Sequence, residues 1–304
     1  MSEKNSAVFP LVSVIIRSMD RAALEDALDS VAAQTYRHIE VIIVNAKGAD
    51  HRETGEWCGH FPLRMIESAV PLDRARAANI GLNAAKGDYL IFLDDDDFFM
   101  PHHISKLQAV LNAFDSCIAA YSAIRCIDES GKEVSRYEES FDPIQLRIEN
   151  FIPIHAVLFR RSALDSGAHF DETLVLCEDW DFWLQLIEQG EFKFVPEVGA
   201  IYRIQQGKGS GIRENKMLTR QVMISIYRKW MPNWSDEILW TVLEYARYKK
   251  IAYSKEQEVI QLNQAVSNCN HQISEILNST SWHITQPLRS ISIFFKSFFF
   301  KRKN

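Results

Sequence analysis

Four consecutive carboxylates, Asp94-Asp95-Asp96-Asp97, close a run of five apolar residues, Tyr89-Leu90-Ile91-Phe92-Leu93. Adjacent aspartates repel one another unless something positive sits among them. A hard divalent cation, shared between carboxylate oxygens and substrate phosphates, is the chemistry that would supply the charge. A solvated acidic turn is the competing reading. A second acidic group, Glu178-Asp179, opens the segment Cys177-Glu178-Asp179-Trp180-Asp181-Phe182-Trp183-Leu184. Trp180, Trp183, Leu184 and Ile187 recur on one helical face, so the two carboxylates fall at the N-terminal edge of a buried helix, where orphan N–H groups and the dipole favour acids.

The elements that must hold these groups read as an α/β domain. The five apolar residues before the aspartates predict a strand covered on both faces, and open α/β sheets bind ligands at the carboxyl ends of such strands. Leu11–Ile16 and Ile39–Val44 predict two further strands, joined by a helix on which Leu24, Leu28 and Val31 recur. This βαβ unit favours a parallel sheet, and its first loop, Arg17–Asp20, faces the ligand. Leu63–Ile66 adds a strand, and Ala75–Ala85 a small-residue helix ended near Gly87. After Pro101, Ile104, Leu107, Leu111 and Phe114 mark a helix, and Ile118–Ser122 a strand. Asp128-Glu129-Ser130-Gly131 turns a hairpin between 124–127 and 132–135. Ala156–Phe159, Phe192–Val195 and Val198–Arg203 complete the strands. From Ile212 the chain turns helical, with Trp230, Trp234 and Trp240 expected to pack back on the first domain.

Composition excludes several classes. The 304 residues carry a net charge of −6, which gives no general attraction to nucleic acid. Five cysteines without C-x-x-C spacing read as free thiols of a reducing compartment. No window reaches the roughly 18 apolar residues of a spanning helix, so the expected location is the cytoplasm or the inner face of the cell membrane.

The run from Asn79 to Pro101, with Asn79-Ile80-Gly81-Leu82, Lys86-Gly87-Asp88, the apolar strand, the four aspartates and Phe98-Phe99-Met100-Pro101, resembles the core signature of the family 2 glycosyltransferases. In that family a strand ends in an Asp-x-Asp-Asp motif that bridges a divalent cation to the diphosphate of a nucleotide sugar. The resemblance implies a GT-A-like fold, a mostly parallel Rossmann-like sheet with flanking helices, followed here by a C-terminal helical extension. The motif falls on Asp94, Asp96 and Asp97, with Mn²⁺ or Mg²⁺ at Asp94 and Asp96. Arg17, Asn45, Arg76, Asp94 and Asp95 are the implied donor-binding residues; both Arg74 and Arg76 lie where the family often has an arginine near the diphosphate or the acidic motif, and each is otherwise an exposed arginine of the helix surface. Glu-Asp at this distance past the metal motif makes Asp179 the catalytic base, with Glu178 beside it, and His155, Trp180 and Arg203 are expected against the substrate. His155, in Asn150-Phe151-Ile152-Pro153-Ile154-His155, is otherwise a structural histidine. The sequence departs from the family at Arg17, where proline is usual, at Asn45-Ala46, where paired aspartates hold the base, and at Gln205-Gln206, where a histidine follows Tyr202-Arg203-Ile204. Asn45 still offers an oxygen to a pyrimidine N–H. Gly207–Gly211 reads as a lid loop or a linker.

The leading expectation is an inverting, metal-dependent transferase moving a hexosyl or related sugar from a nucleotide donor to a hydroxyl of a glycan or lipid-linked acceptor, in bacterial surface polysaccharide or lipopolysaccharide synthesis. A sugar nucleotidylyltransferase needs a glycine-rich loop after the first strand, and Arg17-Ser18-Met19-Asp20 has none. A non-catalytic nucleotide-sugar-binding or scaffolding protein of the same fold is the alternative. The expected division is a transferase domain at 1–211, a helical subdomain packed on it at 212–257, and an amphipathic helix with a basic aromatic tail at 258–304. Val259, Leu262, Val266, Cys269, Ile273 and Ile276 form a short heptad stripe, either a homodimer seam or a surface helix. The tail from Trp282 to Asn304 combines an aromatic stripe with Arg289, Lys296, Lys301, Arg302 and Lys303, the pattern of an interfacial helix on a membrane surface, or else of a protein contact. Ser279–Arg289 also resembles an element that closes bacterial surface-polysaccharide glycosyltransferases.

Overall fold

A computed structural model describes residues 9–204, 216–289 and 291. Gln205 and the glycine-rich loop therefore lie outside the described residues, as does most of the basic tail. Within them, β-branched runs become the inner strands: Val12–Ser18 (β1) and Ile39–Asn45 (β2) are buried at every position. Between them lies Leu24–Ala32 (α1), and after them Trp57–Cys58 (β3) and Phe61–Ile66 (β4). Arg74–Ala84 (α2) starts at Asp73, whose side chain accepts the Arg76 N–H. Its small residues allow close packing on the sheet. A Cβ added at Gly81 would come within 2.3 Å of Ile15 Cγ2.

Tyr89–Asp94 (β5) carries the acidic run out of the core, followed by Phe98–Phe99 (β6), His103–Ala113 (α3), Cys117–Ile127 (β7) and Glu133–Tyr137 (β8). Pro143–Ile148 (α4), Val157–Arg160 (β9), Ser162–Asp165 (α5), Glu178–Ile187 (α6) and Glu191–Arg203 (β10) complete the sheet region. Among the described residues the sheet has the order β3-β4-β2-β1-β5-β9-β7-β10-β6, with β8 on β7. The parallel core is β4-β2-β1-β5, and β10 is parallel to β7, while β9 runs antiparallel between β5 and β7. Two strands expected over 192–203 are one, bent by register shifts around Pro196, where the ladder loses a donor.

Lys216–Trp230 (α7) docks through Trp230 onto fully buried Asp181, whose Oδ1 accepts the indole N–H at 2.8 Å while Oδ2 accepts Lys229 Nζ at 2.9 Å. Trp234 is buried as well, but Trp240 is 63% exposed and does not pack as expected. Asp236–Asn278 (α8) and Thr280–Ile284 (α9) follow. The chain divides into two compact units, Met1–Val242 and Leu243–Asn304. In the second unit the six stripe residues of α8 are all exposed. Among the described residues no helix is long and apolar enough to cross a membrane. All five cysteines are free thiols, and only Cys269 is exposed.

Candidate active site

The parallel register sets Arg17, at the end of β1, directly beside Asp94, at the end of β5. Its buried guanidinium grips Asp94 bidentately, Nε to Oδ1 at 2.8 Å and Nη2 to Oδ2 at 2.9 Å. The remaining edge reaches α6, donating from Nη1 to Glu178 Oε1 at 3.0 Å. Burial alone would raise the Asp94 carboxyl, but Arg17 outweighs it and holds the group below the ordinary carboxylate range.

The four aspartates have four different environments. Asp95 is fully buried and anchors the loop after β1: Oδ2 accepts Ser18 Oγ at 3.0 Å, Met19 N at 2.7 Å and Arg21 N at 3.2 Å, and Oδ1 accepts the Arg21 guanidinium. Asp96 is pushed up to about 6, by burial first and by Asp94 next. Asp97, buried, accepts the Arg203 N–H at 2.8 Å and lies 3.4 Å from His155 Nδ1; burial followed by Asp96 and Asp94 raises it well above the usual range. Ligand oxygens of Asp94, Asp96 and Asp97 lie within 4.8 Å of one another. This all-oxygen set fits a hard cation such as Mg²⁺ or Mn²⁺. Asp96 has Arg21 Nη1 at 3.6 Å and Asp97 the Arg203 N–H, yet both carboxyls stay raised, and Asp94 keeps lone pairs free beyond its two bonds to Arg17.

Opposite them stands the start of α6. Cys177 takes a left-handed φ of 59°, unusual for a residue with a Cβ, and from there Glu178 turns inward to Arg17. Asp179 stays half-buried, with Oδ1 accepting its neighbour's Trp180 N–H at 2.8 Å. Burial first, then Glu178, raises its carboxyl toward neutrality, while Arg17 and Arg74 oppose the rise. That is the range in which a carboxylate works as a general base near neutral pH.

A cavity of about 130 Å³ opens between these groups, lined by Arg17, Arg74, Asp94, Asp97, His155 and Asp179 among others. The volume is below the roughly 300–1,000 Å³ of whole-ligand pockets, so it fits the reacting end of a larger substrate. His155 is pushed down to about 4, chiefly by burial, and its Nε2 has no hydrogen-bond partner among the described residues.

Several expected residues lie elsewhere. Trp180 points into the core and donates its indole N–H to the Leu146 carbonyl at 2.6 Å. Asn45 is also buried. Its amide is closed on Gly48, accepting Gly48 N at 2.9 Å and donating to Gly48 O at 2.8 Å, with a further bond to Glu67. Arg76 is exposed beside Glu172 at 3.4 Å, and its neighbour Arg74 lines the cavity instead. The Arg203 side chain pairs with Asp26 at 2.7 Å. Sequence reasoning missed the contact between Asp97 and His155; the only signal for it was a histidine directly before a buried strand.

A parallel-cored α/β sheet with an aspartate cluster at its carboxyl edge, faced by carboxylates at a helix N-terminus, is the architecture of GT-A glycosyltransferases. The chain belongs to Glycosyl transferase family 2, whose family model matches residues 13–167. It is 28% identical over 198 residues to the uncharacterized glycosyltransferase YwdF of Bacillus subtilis, covering 63% of this chain and 73% of that one. An uncharacterized glycosyltransferase of Rickettsia typhi is 27% identical over 256 residues, covering 73% of this chain and 77% of its own length. Among solved structures, the mannosyltransferase PcManGT from Pyrobaculum calidifontis, in complex with GDP-Man and Mn²⁺, superposes with a TM-score of 0.58 at 15% identity, over 93% of this chain and 85% of that one. Staphylococcus aureus TarS 1-349, in complex with UDP-GlcNAc, gives 0.53 at 16% identity over 66% of this chain and 60% of that one. At such identities the likeness is one of fold.

Proposed function

We propose that this glycosyltransferase moves a sugar from a nucleotide-sugar donor to a hydroxyl acceptor with inversion at C1, using Asp179 as general base. The observation that carries the reading is one cavity lined together by Asp179 from the start of α6, Asp94 from the end of β5 and Asp97 from the turn after it. In the step, the acceptor oxygen attacks C1, the bond from C1 to the diphosphate oxygen breaks, and Asp179 takes the acceptor proton. Its raised affinity for a proton makes it a competent base, and the rigid start of α6 keeps it in place. Asp96, with Asp94 and Asp97, would hold Mn²⁺ or Mg²⁺, which supplies Lewis-acid stabilisation of the leaving diphosphate. Arg74, on the cavity wall, adds positive charge near that group. The unpartnered His155 Nε2 is suited to a sugar hydroxyl.

The acceptor we favour is a glycan or lipid-linked glycan of a bacterial surface polysaccharide, a reading that rests on the resemblance of 279–289. Exposed Ile284, Leu288 and Ile291 fit a tail lying on the inner membrane face, and the exposed stripe of α8 fits a homodimer seam.

The test is release of nucleoside diphosphate from a panel of nucleotide sugars, with and without Mn²⁺, by wild type and Asp179→Asn. Release by wild type that is lost in the variant supports the transferase. Donor binding without release by wild type points to the non-catalytic binder.

A further inference from the structure

Arg17 stands where strand β1 meets the site, and no part of the transfer step uses it. A guanidinium at the end of a strand buried at every position is expensive unless it is fully paired. Here the pairing is divided between two elements. One edge takes both oxygens of Asp94 on β5, and the other takes Glu178 on α6. Nη1 also lies 3.5 Å from the Arg74 carbonyl of α2, and the guanidinium carbon is 5.9 Å from the Phe92 ring centroid. Glu178 is itself buried, held at one oxygen by Arg17, and immediately precedes Asp179.

We propose that Arg17 is a positioning residue: it ties the first turn of α6 to the acidic end of β5, with Glu178 as the strut, and so fixes where Asp179 stands relative to the aspartate cluster. The proposal rests on the transferase reading of the site. It assigns Glu178 a structural task and leaves Asp179 as the group that takes the proton. It also gives a reason for arginine at this position, since only a planar fork can hold two carboxylates on different elements at fixed angles. Lysine, a point charge on a flexible stem, cannot.

The groups facing Asp179 make this readable. On its own element these are Glu178 and Cys177, from β1 Arg17, and from α2 Arg74; across the cavity lie Asp94, Asp97, His155, Tyr137 and Tyr202. Glu178 raises the Asp179 carboxyl and Arg17 lowers it. Glu178→Gln is therefore expected to shift Asp179 titration down. Arg17→Gln shifts it up, and the double variant shifts it less than either. A residue that only supported the fold would not move the titration in opposite directions.

The experiment is ¹³C-carboxyl NMR titration of the full chain, with the Asp179 signal assigned by its loss in Asp179→Asn, alongside steady-state kinetics and thermal melts. Arg17→Lys, which keeps the charge, is expected to keep Tm within a few degrees of wild type and to lose about 10²-fold in kcat, the scale of an ångström-sized misplacement. An Asp179 titration unmoved in Glu178→Gln overturns the proposal, and so does Arg17→Lys retaining wild-type kcat. If Arg17→Gln fails to fold, these two variants still decide. If wild type turns over no donor in the panel, the transferase reading fails, while the NMR arm still reports whether Arg17 and Glu178 govern Asp179.

Discussion

Asp95 and Asp96 are neighbours in sequence with opposite tasks. Asp95 has both oxygens committed to Ser18, Met19 and Arg21, so Asp95→Ala orphans buried donors at roughly 1–3 kcal/mol each and is expected to lower stability by about 2–4 kcal/mol. Calorimetry of the melt checks this. Asp96 is the reverse case, because its folded carboxyl is pushed up to about 6 against an ordinary value near 4. The folded chain binds that proton more tightly than the unfolded chain, so this group costs stability as pH rises from about 4 to 6, and the loss is complete above 6. Asp96→Asn is therefore expected to raise Tm at pH 7.5 but not at pH 4, while abolishing Mn²⁺-dependent binding of a nucleoside diphosphate. Melts at both pH values and calorimetric titration read the two effects. Under the proposed general-base role, Asp179→Asn is expected to slow transfer by roughly 10²–10⁴-fold at unchanged donor affinity. The wild-type rate should fall with acid at a pH above the ordinary carboxylate range, since the protonated base cannot accept. Four aspartates after an apolar run announce a site. Which of them faces it depends on a β1 loop more than 70 residues away, and that is not written in the run.

The same limit holds for whole elements. Strands β1, β2 and β5 are legible as continuous apolar runs buried on both faces, and helix α6 as an apolar stripe that records the face it buries. That spacing puts Trp180 on the buried face of α6, as found; its expected place against the substrate fails, since an aromatic on a buried helix face serves core and pocket alike. Its indole bond to Leu146 puts it in the core. Strand β10 is the other case. Pro196 reads as a break between two strands, yet neighbouring β7 holds the chain in one sheet and the irregularity is absorbed as bulges. At this bend Gly199 comes so close to α3 that an added Cβ would lie 2.1 Å from His103 Nδ1 and 2.2 Å from Ser122 Oγ. His103 Nε2 is in turn 3.1 Å from the His155 carbonyl. Gly199→Ala is expected to cost about 1–3 kcal/mol by overpacking and to lower activity through the displaced His155 segment. Urea denaturation paired with the release assay tests both parts, and unchanged stability would show that the bend yields freely.

For the molecule as a whole, periodicity identifies an α/β domain and the run from Asn79 to Pro101 its family, while the behaviour of its C-terminal unit turns on what covers α8. Val259, Leu262, Val266, Cys269, Ile273 and Ile276 are spaced by three and four, and all are exposed. Of the positions beside the seam only Glu258 is charged, and it pairs with Lys255 at 2.8 Å, one step before Val259 on the same stripe. A parallel dimer would bring the two Cys269 thiols together. Mild oxidation is expected to give a disulfide-linked dimer, read on a non-reducing gel and lost in Cys269→Ser; a monomer by light scattering at micromolar concentration would remove the seam. The contact between Arg17 and Glu178 carries a different consequence. The two residues are 161 positions apart. At roughly 5–20 residues per second, a ribosome needs on the order of 10–30 s after making Arg17 before it makes Glu178. Throughout that interval the end of β1 carries a cation whose second carboxylate does not yet exist. The nascent chain can pair β1, β2, β4 and β5 but cannot complete the proposed site, so activity is expected to appear late in synthesis, only after α6 has left the exit tunnel.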